Sequence, residues 1–239
     1  MKGLGFLRYA VVIGVLAALV CFSACQAPKK ATEVAPAFNP SRVLVLPYMK
    51  VEPDSAENGM VRSPLTGAAF YVRDGIGGVD GLSSLDRALE KNLTDWATFE
   101  YVPEALAGKV FNTIRRRDMS LSLIEVIQKT GKAFKTDAAL VGHLYRFSPR
   151  IGGELSAEKP ASVAFDLALV RIKDRQIIWK NTFDETQQSL TENIFNLGEY
   201  LTRGIRWYTA EELATYGMDT LLTRFPWRKQ PIKTEEKPE

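Results

Sequence analysis

The chain has 239 residues, 46% of them hydrophobic and 25% charged, an ordinary globular composition with length for one medium core. Its formal charge of +3 gives no electrostatic reason to expect nucleic acid as a partner. Cys21 and Cys25 are its only cysteines and both lie near the N-terminus, so a disulfide framework is excluded as the source of stability.

Lys2 and Arg8 form a positive opening segment, Ala10 to Phe22 an apolar one, and the small residues Ser23 and Ala24 precede Cys25. This is the layout of a secretory signal peptide. The ending Phe22-Ser23-Ala24-Cys25 resembles the lipobox of bacterial lipoprotein signal peptides, with Phe22 where Leu is usual. In those proteins the cysteine is acylated and becomes the first residue of the mature chain. The uninterrupted apolar stretch, Tyr9 to Phe22, is shorter than the ~20 residues of a transmembrane helix. Cys21 follows Val20, where the peptidase wants a small residue. Cleavage without lipidation remains open. The expectation is a signal peptide over 1–24, with palmitate or a similar acyl group on Cys25. Gln26 rather than Asp follows it, which in the families resembled points to the outer membrane, on its periplasmic face. Losing Lys2 and Arg8 with the signal lowers the charge from +3 to +1.

Residues 25–40 are rich in Ala, Pro and Lys with no apolar period and read as a lipidated flexible tether, reaching roughly 50 Å at ~3.3 Å per residue. The expected domain spans 41–226, followed by a polar tail over 227–239. Arg42 to Pro47 reads as a strand covered on both faces. A long Gly- and Pro-rich insertion follows at 52–80, with a small hairpin from Met60-Val61 and Ala68 to Val72. Ser83 with Asp86 predicts a capping box opening a helix through Leu85, Leu89, Leu93 and Trp96. Phe99 to Val102 reads as a strand ended by Pro103, and Leu121 to Lys129 as a helix stopped by Gly131. Strands are predicted over Ala138 to Phe147, Ser162 to Ile172 and Ile177 to Phe183, with Ile177, Trp179 and Phe183 on one face. Ser189 with Glu192 opens a helix with an apolar stripe from Leu190 to Tyr208, and Thr209 with Glu212 opens the last one. The fold class is α/β: a mixed β-sheet packed with helices, in a single domain behind the lipidated tether.

Three stretches resemble a known superfamily. Val43 to Pro47 is similar to its opening apolar run ending in Pro. Leu123 to Gly142 looks like its helix followed by a strand. The hairpin around Asp174, with Ile177-Ile178-Trp179 and Phe183, looks like its next strand pair, with Arg175 in the usual glycine place. The superfamily includes the curli-secretion lipoprotein, the penicillin-binding-protein activator lipoproteins and the N-terminal domain of TolB, and the resemblance covers about residues 42–225. It implies envelope assembly or scaffolding without catalysis. Unlike the curli pore protein, the chain has no pair of long alternating hairpins for a membrane barrel.

The chemistry-bearing residues point the same way. His143 is the only histidine and lies mid-strand, where a packed or hydrogen-bonded role is expected. One histidine and no free cysteine do not make a zinc set. Gly75 to Gly81 half resembles a phosphate loop but lies far from the first strand, so a flexible turn is expected. Asp166 and Asp184 are expected to pair with Arg171 or Lys180. Arg115, Arg116 and Arg117 read as a solvated loop face or a contact for acidic envelope groups such as lipid phosphates. With Tyr200, Trp207 and Tyr208 they form the candidate partner surface. No catalytic, cofactor-binding or metal residues are assigned. The expected partners are the membrane through the lipid, envelope proteins and a homo-oligomeric copy, with no nucleic acid. The alternatives are an oligomeric secretion component, an activator of a peptidoglycan synthase and, last, a periplasmic hydrolase.

Overall fold

The computed structural model describes residues 38–51, 59–72, 78–154, 156–187 and 206–229. The chain divides into two units, Met1–Pro36 and Ala37–Glu239, and the architecture below belongs to the second. Its strands are β1 (Arg42–Val45), β2 (Met49–Lys50), β3 (Met60–Arg62), β4 (Ala69–Tyr71), β5 (Glu100–Val102), β6 (Ala138–Ser148), β7 (Ile151–Gly152), β8 (Ala157–Lys159), β9 (Ser162–Arg171) and β10 (Ile177–Thr186). The described helices are α1 (Gly78–Trp96), α2 (Glu104–Arg117), α3 (Leu123–Ala133) and α4 (Ala210–Leu222).

The main sheet runs β10-β9-β6-β1-β5, with β2 also paired to β6. β5, β1, β2 and β6 are parallel, while β6, β9 and β10 are antiparallel. This is the mixed sheet of an α/β domain. Alternation along the strands sorts the core into layers. Val43, Leu140, Phe165 and Leu167 pack with Leu85 and Leu89 of α1 and Leu213 and Met218 of α4. On the opposite face, Leu44, Ala139 and Val170 pack with Phe111 of α2 and Ile127 of α3. The β3–β4 hairpin covers the rest of that face, where Phe70, Val72, Tyr145 and Ala164 form a third cluster. Among the described residues no helix is long and apolar enough to cross a membrane.

Several expectations need correction. α1 begins at Gly78, so Ser83 is inside it, and its hydroxyl donates back to the Asp80 carbonyl. Asp86 instead accepts the Tyr48 N–H at 2.9 Å and caps nothing. Gly78 to Gly81 are therefore helical rather than a flexible turn, and a Cβ on Gly81 would lie 2.8 Å from the Phe147 ring. Gly131 lies within α3, not after it, and is small because a side chain there would strike Ile172 at 2.4 Å. The capping box of that helix is Ser122 with Glu125. α2 is an element the sequence reading missed, and it turns the expected Arg115–Arg117 loop into a last helical turn. An irregularity between Ile177 and Trp179 breaks their shared face, leaving Ile177 exposed while Trp179 meets Phe225. The Thr209–Glu212 capping box and the 60–71 hairpin form as read. Most of the helix expected over 190–208 lies outside the described residues. Trp207 and Tyr208, which are described, are in irregular backbone before α4.

Gly142, mid-β6, is a close-approach site: a Cβ there would lie 2.3 Å from the Tyr48 ring. Gly142→Ala must displace that buried ring and should destabilise the domain by ~1–3 kcal/mol. Urea unfolding at pH 7 checks this, and an unchanged midpoint would contradict the packing.

Candidate functional site

β6 and β9 place His143 directly opposite Asp166, in the seam between the α2–α3 cluster and the hairpin cluster. The Asp166 carboxylate is completely buried. Its Oδ1 accepts from the His143 backbone N–H at 3.0 Å and from Nδ1 at 3.2 Å. A carboxylate only accepts, so Nδ1 carries the hydrogen in this contact. Oδ2 accepts from the Ser63 hydroxyl at 2.5 Å, the Thr66 hydroxyl at 3.2 Å and the Tyr145 hydroxyl at 2.9 Å. The Ser63 oxygen in turn accepts the Leu65 and Thr66 N–H groups, and Lys180 donates to the Thr66 carbonyl at 2.7 Å. Burial, and then the charge of Asp166, push the Tyr145 phenol well above its usual range, so it stays a donor. The Tyr145 ring stacks on Phe70 at 3.9 Å. Arg146, re-aimed by a register shift after Leu144, donates to the Tyr71 carbonyl and to Asp184. The 59–72 segment is thus held to the sheet by polar contacts around one carboxylate.

That docking builds one wall of an open cleft of about 670 Å³. Pro64 comes from the docked segment, and Met49, Lys50 and Val51 from β2 and the residue after it. Arg115 and Arg116 end α2, Met119 and Leu121 lie in the turn to α3, and Leu123 and Val126 lie on α3. The nearly buried His143 completes the lining. The cleft is therefore apolar with a basic side.

A smaller pocket of about 210 Å³ lies where Asp86, Glu90 and Glu104 approach Tyr101. Burial pushes the Asp86 carboxyl up to about 6; the Tyr48 N–H pulls it down, while Glu104 and Glu90 push it further up. Among the described residues, no three His, Cys, Asp or Glu side chains form a group that would hold a metal ion.

The expected site residues separate. Arg115, Arg116 and Arg117 are exposed at the end of α2, and the first two line the cleft. Trp207 and Tyr208 are half-buried and line a different region. The Trp207 carbonyl accepts from Arg150, the Arg206 guanidinium lies 5.1 Å over the Tyr208 ring, and the Tyr208 N–H donates to Gln187. Cys25 and Tyr200 lie outside the described residues. Asp166 pairs with neither Arg171 nor Lys180; Arg171 pairs with Asp174, and Asp184 with Arg146. Ser63 and Thr66 were missed. Their signal was indirect: Asp166 interrupts an otherwise apolar strand and needs donors from elsewhere.

No family model matches the chain, and no curated protein matches it. Similar solved structures include the lipoprotein GNA1162 from Neisseria meningitidis, 14% identical, covering 69% of this chain and 97% of that one at a TM-score of 0.40. A PelC dodecamer from Paraburkholderia phytofirmans is 11% identical over 82% of this chain and 96% of that one, with a TM-score of 0.40. The LpoB C-terminal domain from Escherichia coli is 14% identical over 66% and 90%, with a TM-score of 0.34. At these TM-scores the likeness carries no argument about what the chain binds or does.

Asp166→Asn puts an amide NH₂ among donors and should cost about 2–4 kcal/mol. Hydrogen exchange at the Thr66 and Ala68 amides should accelerate more than at β1. Uniform acceleration across both would show that the carboxylate does not specifically hold the hairpin.

Asp86 makes a pH prediction. Its folded pKa of about 6 lies above the unfolded value of about 4, so the folded state binds the proton more tightly. Its contribution is fully present below pH ~4 and lost as pH rises through ~6, a change of at most about 3 kcal/mol. Asp86→Asn keeps an acceptor for Tyr48 and should stabilise the domain by about 1–2 kcal/mol at pH 7, flattening the slope between pH ~4 and ~7. Denaturant midpoints across that range check the sign.

Proposed function

We propose that this chain is a lipid-anchored protein of the bacterial outer membrane whose periplasmic α/β domain binds protein partners in envelope assembly or secretion, without chemistry of its own. The observation that carries the anchoring is the Phe22-Ser23-Ala24-Cys25 ending after a basic and then apolar segment. Binding is supported by the cleft, where apolar side chains stand open beside Arg115 and Arg116. Catalysis by His143 is disfavoured by the way its neighbours are used. The contact of Nδ1 with Asp166 is one a catalytic triad also makes, but the Ser63 and Thr66 hydroxyls donate to that carboxylate rather than to the imidazole. The residues around the histidine therefore brace the hairpin.

The anchor is tested by metabolic labelling with a palmitate analogue. The protein should take up label and fractionate with outer membranes, and Cys25→Ala should lose the label and become soluble. Unlabelled Cys25→Ala that stays on the membrane would remove lipidation as the anchor.

A further inference from the structure

We infer that the cleft bounded by β2, α2 and α3 docks an acidic, apolar segment of a partner protein. The inference rests on the partner-binding role proposed above and adds the chemistry of the partner. Charge sets its sign. Arg115, Arg116 and Arg117 are exposed on consecutive positions, and none forms an ion pair among the described residues. No carboxylate lies among the described residues lining the cleft, whereas Arg115 and Arg116 do. An occupant carrying Asp or Glu side chains complements this side and is steered toward it.

The apolar lining sets the rest of its character. Met49, Val51, Leu121 and Leu123 are half-buried, and burying them under a partner removes apolar surface from water. Met119, 88% exposed in the turn beside the arginines, is a flexible apolar side chain suited to adapt to an incoming one. Salt-sensitive attraction from the arginines then adds to contact with large aliphatic or aromatic groups.

Shape favours a protein segment over a lipid surface. The apolar side chains line a concavity, which a protruding segment enters and the plane of a bilayer does not.

The test pans a random peptide library on the full chain, purified in non-ionic detergent and immobilised. Enriched peptides should combine Asp or Glu with Leu, Ile or Phe. Dye-labelled copies should bind in anisotropy assays, weaken with added salt, and lose about tenfold in affinity for the Arg115→Ala, Arg116→Ala double variant. Met119→Ser should weaken them several-fold. All three positions are exposed, and unchanged melting of the variants would confirm intact folding. Enriched peptides that lack acidic residues, or that bind the double variant as well as the parent, would overturn the cleft assignment while leaving partner binding elsewhere intact. An empty selection would also overturn it, as would phosphatidylglycerol vesicles captured through the same arginines when no peptide is. Anchoring at Cys25 is read separately, by the palmitate label.

Discussion

The Asp166 carboxylate decides how the insertion sits on the sheet. It is wholly buried and accepts from His143, Tyr145, Ser63 and Thr66. A buried carboxylate with missing donors is strongly destabilising, so these contacts are required together. Because two donors come from the hairpin segment and three from β6, satisfying the carboxylate and docking the hairpin are one event. The apolar contacts of Phe70 and Val72 with Tyr145 and Ala164 then seal the same junction. The segment has only two three-residue strands of its own, too little for an independent hairpin.

The cleft follows from that docking. The α2–α3 pair covers one end of the sheet face and the hairpin the other, and the gap between them carries His143. The end of α2 supplies the cations there, favourably placed at the negative end of the helix. One arrangement thus accounts both for the braced histidine and for an apolar depression with a basic side. The polar lining of that depression is mostly cationic, and its one imidazole is held by a carboxylate.

Much of the sheet was legible in the residues. The apolar run at Val43 to Leu46, the long strands over 138–148 and 162–171, and the Thr209–Glu212 cap are local patterns that tertiary contacts reinforce. Helix ends read from single residues fared worse. Gly81 and Gly131 look like breakers, yet each is small because a ring or a branched side chain packs against it, and that reason lies far along the chain. Ser83 and Asp86 have capping spacing, but Asp86 serves the Tyr48 N–H, a contact no local pattern reveals. α2 was missed because its buried face is short, Ala107, Gly108 and Phe111, while Leu106 and the arginines point outward.

The sequence by itself determined the α/β class, the order of the long strands, the hairpin in the insertion and the residue type of the basic run. These follow from periodicity and capping, which act within a few residues. Only the tertiary structure decided that Arg115 and Arg116 line a cleft with Met49 and Leu121, that Trp207 and Tyr208 belong elsewhere, and that His143 faces Asp166. Those facts depend on strand register and helix packing, which join residues 20 to 100 positions apart. Register is set by the burial of whole faces and not by any short motif, so the partners of a buried charge become visible only once the faces meet.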